Sequence, residues 1–338
     1  MSVVDISTLA ATAVNRQKDF KMLPYEVLAY VLGVHGINLL PGVQYKDTIT
    51  DFLRKQGIMQ PYVMGTLNNS NVGKAQEMTL EVKPAYASVK DNIQNYLTTI
   101  IGPDVLLGKN KTKKHPWEVT MISSIVKTFA EDILDCLFQG ERDDSAVTPL
   151  DAFDGFDTKI DDFITAGAIT GGKNNYVPTG TFAAPANESD FNAYNQVLEF
   201  YRSANSMLKG KPSLLYLPTA IADMYDDAHF NKFRNKPTSD EYGRTEVTGS
   251  GGRCKIVRSN IMGTGQRIIL TVPGNFDFGM DTLGDEAFVQ VRNPYEDPNY
   301  VQFWLQGKYG TRIRSIHEKV FQVNEGAAVG VQLSGDYS

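Results

Sequence analysis

The residues that could do chemistry are few and scattered. In "NIMGTGQR", Asn260 to Arg267, a Gly-Thr-Gly turn lies between two apolar runs. It lacks the G-x-x-x-x-G-K-[ST] of a phosphate loop and the third glycine of a dinucleotide fingerprint. It also leads into the strand-like "RIILTV", where a phosphate cradle needs a helix N-terminus. The expectation is a tight strand-to-strand reversal at Gly263 and Gly265. In "TGSGGR", Ser250 has the flanking glycines of a hydrolase nucleophile, which would require a positioned histidine and an acid. The histidines, His35, His115, His229 and His317, are far apart and form no H-x-x-x-H or Cys/His pair. A mobile loop is therefore expected around Ser250. Asp151, Asp154 and Asp157 are spaced by three with no glutamate following, which is not the ligand spacing of a calcium loop. They read as turn and helix-capping carboxylates.

Two further features remain. The run "GKNKTKKH" concentrates Lys109, Lys111, Lys113 and Lys114. It reads as an exposed basic loop, or as a patch for acidic neighbours or nucleic-acid phosphate. Cys136 and Cys254 lie in apolar surroundings and read as buried free thiols in a reducing compartment. No catalytic group, cofactor site or metal site emerges.

Composition narrows the class. The chain has 338 residues, 42% of them apolar, enough for a buried core. Its net charge of -6 argues against a general nucleic-acid binder, whose phosphate contacts require a basic excess. The N-terminus has no secretory pattern, and no window reaches the length of a membrane span, so a soluble protein of intracellular origin is expected.

The elements that would have to position these residues are clearer. Short helical pieces fill the first forty residues, one beginning at Pro24, and "LLPGVQY" breaks them as a connector would. From Gln60 to Asp91 the chain reads as a long hairpin with the exposed tip "TLNNSNVGK". In its second run Met78, Leu80, Val82 and Tyr86 share one face, opposite Thr79, Glu81 and Lys83. A long helix follows from Pro116 to Gly140, with Ile122, Ile125, Val126, Phe129, Ile133 and Leu137 in one apolar stripe. At ~1.5 Å per residue it forms a rod of about 36 Å. A loop-rich acidic segment contains one short helix, "TKIDDFITAGAI". An amphipathic helix from about Ser189 to Gly210 opens an alternation of helix and strand that reads as a compact α/β unit to residue 291. Last comes the long strand "YVQFWLQGKYGTRIRSI". Val301, Phe303, Leu305, Tyr309 and Ile313 face inward, and Gln302, Gln306, Lys308, Arg312 and Arg314 face water.

This order resembles the major capsid proteins of tailed bacteriophages, which have the Hong Kong 97-type fold. "NVGKAQEMTLEVKPAYASV" looks like one side of that family's E-loop. "HPWEVTMISSIVKTFAEDILDCLFQGE" looks like its spine helix, and "KPSLLYLPTAIADMYD" like the strand-then-helix of its A domain. "GRCKIVRSNIMGTGQRIILTVPGNFDFGMD" is similar to the A-domain strands that follow, and "PNYVQFWLQGKYGTRI" to the return strand. The resemblance implies an α+β fold with an N-terminal arm (1–48), an E-loop region (49–100) and a P domain with the spine helix (101–185). An A domain (186–291) and a return strand to the P domain (292–338) complete it. It implies intersubunit contacts through Thr66, Asn69, Lys74, Met78, Leu80, Val82 and Tyr86. The spine core would be Trp117, Ile122, Ile125, Phe129, Ile133 and Leu137.

The implied function is structural and not enzymatic. Hexamers and pentamers of the chain would form an icosahedral shell around double-stranded DNA, with weak non-specific contact to the DNA and no membrane. The shell would be assembled in the host bacterial cytoplasm, and portal and scaffolding proteins are the implied partners. The segment before the hairpin is too short for a fused scaffolding domain, so a separate scaffold or a trimmed chain is expected. The family's lysine-to-asparagine cross-link is not carried over to Lys74 or Lys83, because no sequence context identifies a partner. Three alternatives stay open: an encapsulin-like nanocompartment shell, a hydrolase using Ser250 or the acidic cluster, and another virion part such as a tail or decoration protein.

Overall fold

The computed structural model describes residues 6–54, 61, 64, 73–92, 117–146, 148–235, 239, 244–281, 289–292 and 300–326. The expected hairpin tip with Thr66 and Asn69, the basic run Lys109, Lys111, Lys113 and Lys114, and Pro116 lie outside them.

Helix α1 (Ile6–Asn15) and helix α2 (Gln17–His35) lead the chain. Pro24 lies inside α2 and does not start it. A mid-helix proline forfeits one backbone hydrogen bond and costs about 3 kcal/mol in isolation. Burial of Phe20, Leu28 and Leu32 on the face that meets the long helix offsets that cost. Helix α3 (Trp117–Gln139) is that long helix. Ile122, Val126, Phe129, Ile133 and Leu137 are buried along it and Ile125 is half-buried, as the three- and four-residue spacing demands.

Two five-stranded sheets and a two-stranded ribbon make up the β structure among the described residues. The first sheet has the order β1 (Asn38–Pro41), β9 (Phe276–Met280), β11 (Tyr300–Ile313), β10 (Val289–Arg292), and β4 (Lys83–Asn92) pairs with the other side of β11. The register places Tyr300 opposite Asn92 and Tyr309 opposite Lys83. The second sheet has the order β12 (Phe321–Val323), β8 (Ile269–Thr271), β5 (Ser213–Pro218), β7 (Cys254–Ser259), β6 (Thr245–Glu246).

Every residue of β5 is buried because both faces of its sheet are covered. Leu214 and Tyr216 face the main core with α1, α2 and α3. Leu215 and Leu217 face a second core built on α4 (Asn192–Ser203) and α6 (Thr219–Phe233). Period-two alternation in one strand thus divides its side chains between two hydrophobic clusters.

Several expectations are corrected here. The helix expected over 189–210 stops at Ser203 and resumes as α5 (Ser206–Lys209), because Asn205 turns its side chain to accept from the Met207 amide. The Gly263 and Gly265 segment is not a tight reversal. β7 lies parallel to β5 on one side and β8 antiparallel on the other, so the chain from β7 to β8 crosses the C-terminal end of β5. Gly263 supplies the positive φ of 67° that this crossing needs.

The unit expected over 186–291 also changes bounds. β9 and β10 join the sheet of the long strand β11, while β12, beyond residue 291, joins the second sheet. Strand exchange between sheets is a long-range pairing that local patterning does not encode. Finally, Arg312 was expected on the wet face of β11, yet it is buried because an ion-pair network encloses it.

Candidate functional site

The ribbon is the element that leaves the body. Strand β2 (Lys46–Arg54) pairs antiparallel with β3 (Gly73–Glu81), with Lys46 opposite Glu81 at the root and Arg54 opposite Gly73 toward the tip. The hairpin expected over Gln60 to Asp91 is therefore shifted. Its arms are 46–54 and 73–81, and the chain beyond Val82 leaves the ribbon to become β4. Lys46–Arg54 was missed because "KDTITDFLR" alternates weakly, with Ile49 and Leu53 separated by a charged position.

Burial divides the ribbon in two. From Gly73 to Glu77 the residues of β3 are exposed or half-exposed, whereas Met78 and Leu80 are buried. Lys74 is exposed. Met78, Leu80 and Val82, expected to meet an adjacent subunit, are instead buried in their own chain. The physical reason is two glycines in the sheet below. A Cβ on Gly279 would lie 2.6 Å from a Leu80 methyl, and one on Gly310 would lie 2.1 Å from the Glu81 carbonyl oxygen. Only bare backbone lets β3 come that close to β9 and β11. On β2, Phe52 stays 61% exposed, and Tyr45 just before it is 70% exposed. Both add apolar surface that the described part of the ribbon leaves uncovered.

The ribbon root also carries charge. Asp277 on β9 is fully buried and accepts from Arg312 Nη2 at 2.7 Å, from Arg314 Nε at 2.7 Å and from Asn38 Nδ2 at 3.1 Å. Arg312 Nη1 reaches across to the Asp47 carboxylate on β2 at 2.8 Å. Lys83 pairs with Glu81 at 2.5 Å where β3 passes into β4, holding the Glu81 carboxyl below its usual range.

Beside the body end of the ribbon, Pro84 to Val89 of β4, the inner turns of α3 and residues Arg142 to Phe153 enclose an open groove of about 560 Å³. Phe129 and Ile133 form part of its floor. Asp132 lines it as well, and burial, with Asp135 and Glu131 nearby, pushes its carboxyl up to about 6. Asp135 is raised for the same first reason, burial. The Arg142 guanidinium is committed to Asp144 and to the carbonyls of Pro84 and Ala152. On the outer face of the sheet Tyr86, 68% exposed, stacks on Trp304 with ring centroids 5.0 Å apart and planes 9° from parallel.

The residues singled out for chemistry do not converge. Ser250 is buried, and its hydroxyl donates to the Cys254 carbonyl at 3.4 Å. Asp151 closes a capping box with Thr148, Asp154 pairs with Lys159 at 2.7 Å, and Asp157 pairs with the buried Arg267 at 2.6 Å. These three carboxylates thus serve separate structural partners. His35 Nδ1 bonds the Val31 carbonyl, and His229 Nδ1 the Asn235 carbonyl. Among the described residues no group of histidine, cysteine and carboxylate side chains is placed to hold a metal. No helix is long and apolar enough to cross a membrane among those residues. Both cysteines are free and buried, and burial pushes each thiol up to about 12.

No protein-family model matches the sequence, and no curated protein matches it either. Solved structures do. A chain of the satellite phage P4 procapsid, determined with its size determination (Sid) protein, superposes with TM-score 0.54 and 12% identity over 97% of this chain and 92% of that one. The capsid of a native GTA particle aligns at TM-score 0.49 and 13% identity over 87% and 89%. The capsid of Myoviridae phage XM1 aligns at TM-score 0.49 and 11% identity over 86% and 89%. The procapsid match covers nearly the whole chain, which therefore has the fold of that phage procapsid chain.

Proposed function

We propose that the chain is the shell subunit of a tailed-phage capsid, associating with copies of itself in hexamers and pentamers of an icosahedral shell around double-stranded DNA. The observation that carries this reading is a capsid fold over nearly the whole chain, with a ribbon whose outer half is uncovered by its own protein. A two-stranded ribbon is marginal alone, and a neighbour that covers it removes exposed apolar surface and unpaired edges. On this reading the ribbon is the E-loop, α3 the spine helix of the P domain, and the sheet around β5 the A domain. Phe52, Tyr45 and Lys74 would meet the adjacent subunit. Met78, Leu80 and Val82 would anchor the loop to its own body. Tyr86, stacked on Trp304, would present a flat receiving surface.

The function is association and not turnover. The Ser250 hydrolase reading loses its support, because a nucleophile must reach substrate and this hydroxyl is buried against its own backbone. Scaffolding and portal proteins are the proposed partners in assembly. Contact with DNA is weak and non-specific, in keeping with the net charge of -6.

The test is electron microscopy of the purified chain, alone and with its co-expressed scaffold. Closed shells with hexameric and pentameric capsomers are expected. Tubes, rings or a persistent monomer under all assembly conditions would overturn the proposal.

A further inference from the structure

The charged group at the ribbon root is built asymmetrically. Asp277 and Arg312 are cross-strand partners on β9 and β11, with side chains 0% and 2% exposed. Arg312 spends Nε and Nη2 on Asp277, at 3.1 and 2.7 Å. Arg314 and Asn38 saturate the remaining acceptor positions of the same carboxylate. That half belongs to the body of the protein. The remaining nitrogen, Arg312 Nη1, points at the ribbon and donates to the Asp47 carboxylate at 2.8 Å and to the Asp47 carbonyl at 3.3 Å. Asp47 is 50% exposed, and in the ribbon it lies opposite Leu80.

From this geometry we infer that Arg312 is a clamp that sets the angle of the ribbon, with Asp47 as its releasable jaw. Two aspartates and two arginines make the group neutral only while Asp47 is in place. Swinging the ribbon away would exchange the charge-assisted hydrogen bond of Arg312 Nη1 for one to water and leave the root with a net positive charge, so the docked position is favoured over a continuum of tilts. The apolar anchor beneath does not supply that definition. Leu80 against Gly279 is a contact of shape without direction, whereas the Arg312 fork fixes direction through its planar donors. Asp47 and Arg312 are thus positioning residues for the outer half of the ribbon. In the shell reading, on which their consequence for assembly rests, they set where the E-loop meets its neighbour.

The test uses the full, unassembled chain, so it does not depend on shell formation. Spin labels are placed on cysteines introduced at Lys74, on the outer ribbon, and at Lys127, on the exposed side of α3. The native Cys136 and Cys254 are buried and stay unlabelled. A single narrow distance distribution is expected for the parent protein, and a broadened or displaced one for Asp47→Asn, with Asp47→Glu restoring the narrow form. Exchange of the Val82 amide, which donates to the Tyr45 carbonyl at the root, should quicken roughly tenfold in Asp47→Asn, the scale of one charge-assisted hydrogen bond. An unchanged distribution in a folded Asp47→Asn protein would overturn the clamp, because the apolar anchor alone would then hold the angle. Global unfolding of Asp47→Asn would overturn it as well, since the ribbon jaw is the half that opens without loss of the body. If the distribution broadens while shells still form normally, the clamp stands and its proposed consequence for assembly fails.

Discussion

Asp132 allows the electrostatics of the groove to be tested quantitatively. Its carboxyl sits on α3 with Asp135 and Glu131 on the same helix. Across the groove are the neutral residues of β4, together with Asp143, Asp144, Asp151 and an Arg142 already engaged by Asp144. Burial raises it from 3.8 to about 6. The unfolded chain releases this proton near 3.8 and the folded chain near 6, so between those values the folded state holds more protons. Stability is therefore highest at the acid end of the window and falls as pH rises through it. A shift of roughly two units corresponds to a ceiling of about 3 kcal/mol, and partial access to solvent reduces the expected effect to about 1–2 kcal/mol. Asp132→Asn removes the titration. In urea unfolding, the variant should match the parent near about pH 4 and exceed it by about 1–2 kcal/mol near pH 7.5. A difference that does not depend on pH, or a variant weaker than the parent at the alkaline end, would refute the reasoning.

Two other outcomes follow from the same structure. Leu80→Ala should cost about 2–5 kcal/mol in chemical unfolding, because the side chain is wholly buried over Gly279; a loss well under 1 kcal/mol would mean that the ribbon root does not share the core. A thiol reagent at about pH 8 should leave Cys136 and Cys254 unmodified in the folded chain and modify both in denaturant, since burial holds both thiols far from ionisation. Rapid modification of either in the native protein would contradict their placement.

The legible parts of the fold were those carried by local periodicity. The apolar stripe from Ile122 to Leu137 and the alternation from Val301 to Ile313 each satisfy one face of one element, so each could be read from consecutive residues. Where two elements meet, local periodicity does not decide the outcome. Pro24 looked like a helix start because the packing of Phe20 and Leu28 on α3, which makes it tolerable inside a helix, is not a local property. The strand opposite 73–81 lies at 46–54 and not after Gln60, because register depends on a partner that the alternation of one strand does not name.

By itself, then, the sequence determined which faces are apolar, the length of the long helix α3, and an order of elements that resembles a capsid subunit. Tertiary structure alone decided the use of its polar groups. Arg312 follows the water-facing alternation of β11, yet the packing of the ribbon on β9 and β11 encloses it between Asp47 and Asp277. Leu80 looks like a surface residue awaiting a neighbour, yet Gly279 opens a seat for it in its own chain. Periodicity fixes the side of an element on which a residue stands. What covers that side is set by contacts between segments distant in sequence, and it is those contacts that turn an exposed charge into a clamp and an exposed leucine into an anchor.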